Sequence, residues 1–324
     1  MKTIDTIFYY WNLYQLHRKG LQFSKAYQAK LYNWFPPFFE QDLWLPKFIE
    51  GRGLLKDKPK LKAGVFTICG PKWAVRLQPC DLKIFFAREN LSFRKEWHDF
   101  MLNEPSIDLS IGFDDIRDNP KYIHIPFWIT WALDPMETFE SIKRKIEEWN
   151  TPASKSYKDR RFCSFLCSHG DKGREMIFND LSTIDKIDSC GRWMHNDDSL
   201  KTEYGDDKVR WLNHYRFNLT PENSNASGYV TEKLLEAVQG GCVPIYWGGS
   251  NKPEPNVFNQ NAIIFFDMEK DNNDVLRLVS ELNSDENKYM DFACQKRFVE
   301  GAEDVIWGYY ESLEIKLKEI IANL

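Results

Sequence analysis

Apolar positions in this chain gather into short runs closed by glycine, proline, asparagine or aspartate, with stretches of helical spacing between them. The short runs predict strands at residues 4–11, 63–69, 83–86, 108–114, 122–128, 162–167, 243–247 and 261–267. A helix is predicted over 135–149, where Phe139, Ile142, Ile146 and Trp149 share one face and Pro135 is tolerated in the first turn. Others follow the loop 168–174, with Phe178 and Leu181 inward, and cover 273–282 and part of 289–298. The tail from Ser312 sets Leu313, Leu317, Ile320, Ile321 and Leu324 on one stripe, which packs on the body or, alternatively, meets a membrane surface or a partner. Strands alternating with helices predict an α/β protein with parallel sheets.

Two stretches depart from this rhythm. The segment up to Phe48 is dense in aromatics, among them Trp11, Tyr14, Tyr32, Trp34, Phe35, Phe39 and Trp44, and shows no clear period; core packing and a sugar-stacking platform are the two readings. Residues 151–161 carry proline, serines and charge without apolar periodicity, which places a domain boundary there and predicts domains at 1–155 and 156–324.

Composition narrows the class. With 324 residues, 43% of them hydrophobic, the chain can build two cores, and its net charge of −5 argues against nucleic acid as the main partner. Seven cysteines include no C-x-x-C pair, and their apolar surroundings, as at Cys69 and Cys242, predict buried free thiols. The N-terminus lacks the basic-then-apolar pattern of a signal peptide, and no segment approaches a membrane span, so a cytoplasmic protein without a transmembrane segment is expected.

Candidate chemistry concentrates at 217–249, read as a strand, a polar loop, a helix from about Tyr229 to the Gly240-Gly241 pair, and the strand 243–247. Ser227 is the predicted N-cap, Leu234, Leu235 and Val238 the buried face. Tyr229 then faces Glu232 at i,i+3 and Lys233 at i,i+4, and a lysine beside a helix N-terminus suits a diphosphate. The ordinary reading of the same residues is a solvated Glu–Lys pair. The run 168–174, ending in Arg174, has a second phosphate-binding layout of strand, glycine-bearing loop and helix start. Glu89 lies just past the strand 83–86, at a carboxyl end where ligands gather in open α/β sheets, although an exposed loop glutamate is commonly only solubilising. No D-x-D metal motif occurs, and His124 reads as structural.

The segments Glu222-Asn223-Ser224, Gly228 to Lys233 and Pro244 to Gly248 together resemble the signature of the α-1,3/1,4-fucosyltransferases, glycosyltransferase family 10, which use GDP-fucose. The resemblance is loose over 63–130 and close over 160–266. It implies the GT-B architecture: two Rossmann-like domains facing each other across a cleft, the first binding the acceptor and the second the donor. It also implies inverting transfer of L-fucose from GDP-β-L-fucose to an oligosaccharide, commonly GlcNAc of N-acetyllactosamine-type chains in α-1,3 linkage, without a metal or other cofactor. Glu89 then corresponds to the base, with Arg88 where the family commonly has glycine. Arg174, Lys233, Asn223 and Tyr229 correspond to groups holding the donor phosphates, Glu232 to the ribose contact, and Tyr204 to a nucleotide contact. Pro221 stands where the family usually has phenylalanine. Eukaryotic relatives carry a membrane anchor, so the chain resembles a bacterial, cytoplasmic member whose C-terminal helix is the candidate for peripheral contact with the inner membrane. A GT-B transferase with another nucleotide-sugar donor, and a non-catalytic nucleotide- or glycan-binding protein, are the alternatives.

Overall fold

The computed structural model describes residues 18–34, 37–151 and 156–324. Its backbone forms two parallel sheets, and the chain divides into two units, Met1–Thr138 with Trp307–Leu324, and Phe139–Ile306. Both are α/β, the class that the alternation of strands and helices predicts.

In the first unit the strands β1 (Ala29–Tyr32), β2 (Ala63–Phe66), β3 (Leu82–Phe86), β4 (Leu109–Gly112) and β5 (Tyr122–His124) lie side by side in chain order, all parallel. The expected strand 4–11 falls outside the described residues, as do Trp11, Tyr14 and Phe35. β1 instead comes from the aromatic-rich segment, where Tyr32, Trp34, Trp44 and Phe48 are buried and Phe39 is exposed, so that segment is largely core. β2 stops at Phe66, short of the expected end, because Thr67 Oγ1 donates to Asn33 O (2.5 Å) and accepts from Cys69 N (3.2 Å), turning the chain off the sheet. Cys69, expected inside a buried run, is therefore exposed. β5 likewise ends early, and Pro126 opens a helix Phe127–Ala132 where strand was expected to continue.

In the second unit β6 (Arg161–Phe165), β7 (Ile187–Ser189), β8 (Tyr215–Pro221), β9 (Val243–Trp247) and β10 (Ile264–Phe265) are parallel in the order β10-β9-β8-β6-β7. Phe162, Phe165, Phe217 and Leu219 pack against Ile177, Phe178 and Leu181 of the helix Lys172–Ser182, all buried. The connection from β6 goes to β7 on one side and that from β8 goes to β9 on the other, so the β6 and β8 loops part at a topological switch point. Such a crevice is where open α/β sheets place ligands.

The division between units differs from the expected 155/156 boundary at both ends. The helix Phe139–Trp149 goes with the second unit because Asn150 Oδ1 accepts from Arg297 N (2.7 Å) and Phe298 N (3.1 Å), while Trp149 stacks on Phe298 at 5.8 Å. The C-terminal helix Ala302–Ala322, expected with the second domain, belongs from Trp307 onward to the first. Tyr310 is buried there, donating to Asp134 O (2.9 Å) with its ring 5.6 Å from that of Trp44, and Leu313, Leu317 and Ile321 are buried with it. Most of the stripe that offered a membrane contact is thus used in packing, leaving Leu324 exposed. Among the described residues no helix is long and apolar enough to cross a membrane.

All seven cysteines are free, two of them, Cys163 and Cys242, fully buried. Burial pushes the Cys163 thiol far up, and pushes Cys242 up to about 11 against the opposing pull of Arg160 and Arg297. Alkylation of the native protein at pH 8, read by mass spectrometry, should label exposed Cys69 and Cys294 and spare Cys163 and Cys242 until denaturant is added.

Candidate active site

β8 leads into the site, and its last contact with the sheet fixes the course of the loop beyond it. Glu222 N donates to Trp247 O (2.8 Å), so Glu222 continues the β8–β9 pairing and its side chain is carried beneath the loop that precedes the next helix. That helix spans Glu232–Gln239 with Thr231 as its N-cap. It was expected to begin near Tyr229 behind Ser227. The difference has a direct cause: Thr231 N (2.7 Å) and Oγ1 (2.6 Å) both donate to the Glu222 carboxylate, which holds Thr231 extended and starts the helix after it. Tyr229 lies before the helix and is buried, so the expected i,i+3 and i,i+4 alignment with Glu232 and Lys233 does not form.

The cations are held by the same hub. Lys233 Nζ donates to Glu222 Oε2 (3.2 Å) and Thr231 Oγ1 (3.1 Å) and remains 23% exposed. Burial works against its ammonium, but the Glu222 and Glu232 carboxylates outweigh that, and its pKa stands above that of an ordinary lysine. Arg174 sits in the first turn of Lys172–Ser182, where Asp171 caps the helix by accepting from Arg174 N (2.9 Å). Its guanidinium donates to His169 O (2.7 Å), Glu222 O (2.6 Å) and Asn223 Oδ1 (3.3 Å), which ties the β6 loop to the β8 loop. Arg174 is 5% exposed, so its charge is held almost wholly within the protein.

These groups surround a cavity of about 430 Å³ at the switch point, within the ~300–1,000 Å³ common for small-ligand sites. Arg174, Asn223, Glu232 and Lys233 line it together, with Ser168, His169, Asn218 and Thr220. One turn beyond Glu232, Glu236 also lines it, paired with Lys208 at 3.0 Å; burial first, then Glu232, raises the Glu236 pKa against the pull of Lys208. Tyr229 and Tyr204 are not among the lining residues. Tyr204 turns instead to His214, with ring centroids 4.9 Å apart. Glu89 belongs to the first unit, exposed and just beyond β3. Arg88 before it pairs with buried Asp42 and lies 4.8 Å over the Phe127 ring, which anchors the chain leading to Glu89.

Sequence reasoning gave Glu222 no part beyond the motif it opens, and did not single out the Lys208–Glu236 pair. For Glu222 the available signal was a lone glutamate ending an apolar strand, opposite a glycine pair: a Cβ on Gly248 (φ +140°) would lie 2.5 Å from Glu222 Cγ, so the neighbouring strand end leaves no room for another residue. Gly191, also on the cavity wall, is equally constrained, since an added Cβ would sit 2.2 Å from Cys167 O and 2.5 Å from Cys167 N. Gly191→Ala should therefore displace backbone at the cavity mouth and cost about 1–3 kcal/mol in urea denaturation. Among the described residues no group of three or more His, Cys, Asp or Glu could hold a metal.

The model of glycosyltransferase family 10 (fucosyltransferase), C-terminal part, matches residues 156–308, the portion of the chain that contains the cavity. Over these residues, just under half of the chain, the sequence is similar to glycosyltransferase family 10. An α-(1,3)-fucosyltransferase of Helicobacter pylori is 24% identical over 238 residues, covering 63% of this chain and 48% of the relative. An α-(1,3)-fucosyltransferase B of Drosophila melanogaster is 29% identical over 123 residues, covering 35% of this chain and 28% of the relative. The chain thus spans about half the length of the first relative and less of the second. Among solved structures, an α1,3-fucosyltransferase superposes with a TM-score of 0.58 at 18% identity over 89% of both chains, and one with GDP-fucose with 0.55 at 19% over 88% and 89%. The fold of the chain is therefore that of the solved α1,3-fucosyltransferases.

Proposed function

We propose that the chain is an inverting α-1,3-fucosyltransferase that moves L-fucose from GDP-β-L-fucose to a hydroxyl of an oligosaccharide, with GlcNAc of an N-acetyllactosamine-type glycan as acceptor. The observation that carries this is the convergence of Arg174, Asn223, Glu232 and Lys233 on one cavity at the switch point of the family 10 unit. Lys233, with the field of Arg174 behind it, is suited to stabilise the charge that develops on departing GDP, and Glu232 to accept from ribose hydroxyls. A free helix N-terminus and fixed cations supply positive charge there from the chain's own groups. In this reading Glu89 accepts the acceptor hydroxyl proton as the oxygen attacks the anomeric carbon. The C1–phosphate bond breaks as the new glycosidic bond forms, and GDP leaves with the electron pair.

The test is a panel of nucleotide sugars offered with a glycan array, following nucleotide release and determining product linkage by NMR. GDP release from GDP-fucose with an α-1,3 product on N-acetyllactosamine is the expected result. Turnover of a UDP- or CMP-sugar in its place would refute the donor assignment.

A further inference from the structure

We infer that Glu222 is a positioning residue that acts through Lys233, presetting the ammonium toward the diphosphate of a bound nucleoside diphosphate. The inference rests on the proposed donor site and adds a residue to which that proposal gives no role.

The Glu222 carboxylate is fully buried and receives four donors: Thr231 N (2.7 Å), Thr231 Oγ1 (2.6 Å), Lys233 Nζ (3.2 Å) and Tyr246 OH (3.4 Å). Its backbone is pinned on both sides, by Trp247 O through its N–H and by Arg174 through its carbonyl. A buried carboxylate is a costly way to obtain stability, since an apolar side chain of similar volume serves as well or better. What it adds here is direction. A free lysine side chain carries about 2 kcal/mol of rotamer entropy. Glu222 Oε2 and Thr231 Oγ1 hold this one from one side, and the lysine borders the cavity with 23% of its side chain accessible. A cation already in place needs no reorganisation when charge develops on the leaving group.

The groups that face Lys233 are Glu222 at the end of β8, Glu232 and Glu236 on its own helix and Arg174 on the helix Lys172–Ser182. Removing the Glu222 charge leaves burial and Arg174 opposing the ammonium with Glu232 and Glu236 in support, so the lysine should lose its proton at lower pH. A glutamate that served only the fold would not make GDP affinity follow that titration.

The experiment is GDP titration calorimetry between pH 7 and 10 on wild type, Glu222→Gln, Lys233→Met and the double variant. Wild-type affinity should show no lysine-linked fall between pH 7 and 9. Glu222→Gln should bind GDP about 10-fold more weakly at pH 7, the loss of roughly one charge-assisted contact, and weaken further as pH rises. In the Lys233→Met background the same substitution should change affinity little. Equal losses in both backgrounds, or an unchanged pH profile, overturn the inference. Should Glu222→Gln not fold, Thr231→Val removes the hydroxyl that both groups share, and an unchanged GDP affinity in that variant overturns it equally. Wild-type protein that binds no GDP overturns the donor-site reading and this inference together, whereas wild-type binding with an unaltered Glu222→Gln overturns this inference alone.

Discussion

Glu89→Gln should lower fucose transfer by roughly 10²- to 10⁴-fold, the usual contribution of a general base, while GDP affinity stays nearly unchanged. The glutamate is exposed just past β3, so the substitution should also shift stability by no more than about 0.5 kcal/mol. The near-isosteric amide keeps the shape and removes the negative charge and, with it, the ability to take a proton. The chain before it is held by the Arg88–Asp42 pair and the Phe127 ring, so the loop itself should be undisturbed. Measuring kcat with GDP-fucose beside a GDP titration separates the outcomes. A fall in GDP affinity as large as the fall in rate would mean that Glu89 is not the base.

Lys233→Ala should injure both binding and stability. Loss of a charge-assisted contact to phosphate is worth about 1.5–3 kcal/mol, which corresponds to roughly 10- to 150-fold in GDP affinity. The same change leaves the fully buried Glu222 carboxylate without its cation, and breaking a buried pair in this way commonly costs about 3–5 kcal/mol. The sign of its pH dependence comes from the raised lysine pKa. The contribution is fully present below the ordinary lysine value of 10.5 and is lost only as pH rises through the higher folded value. Urea denaturation of wild type and variant should therefore differ by a constant amount from pH 6 to 9. A folded variant with wild-type GDP affinity would remove Lys233 from the donor site.

Much of the second unit is legible in its residues. β9 coincides with the apolar run 243–247, and the helix after 168–174 has the expected apolar face, because both are local patterns whose period alone selects strand or helix. The signature residues Asn223, Glu232 and Lys233 also line one cavity with Arg174, as a strand-loop-helix unit at a sheet's carboxyl edge would place them. Tyr229 and Tyr204 show where local reasoning stops: one was put on a helix that starts later, and the other turns to His214.

The chain's own pattern of apolar runs, glycine pairs and polar loops was enough to determine two α/β units and to locate the nucleotide-site candidates. It could not determine where the critical helix begins, because Ser227 is a better local cap than Thr231, and only the carboxylate arriving from β8 reverses that preference. Nor could it assign the C-terminal stripe, whose spacing serves either unit or a membrane equally well until Tyr310 finds Asp134 and Trp44. In each case the deciding contact comes from outside the element it decides, a carboxylate on the preceding strand in one and aromatic packing far along the chain in the other, and no local period can name such a partner.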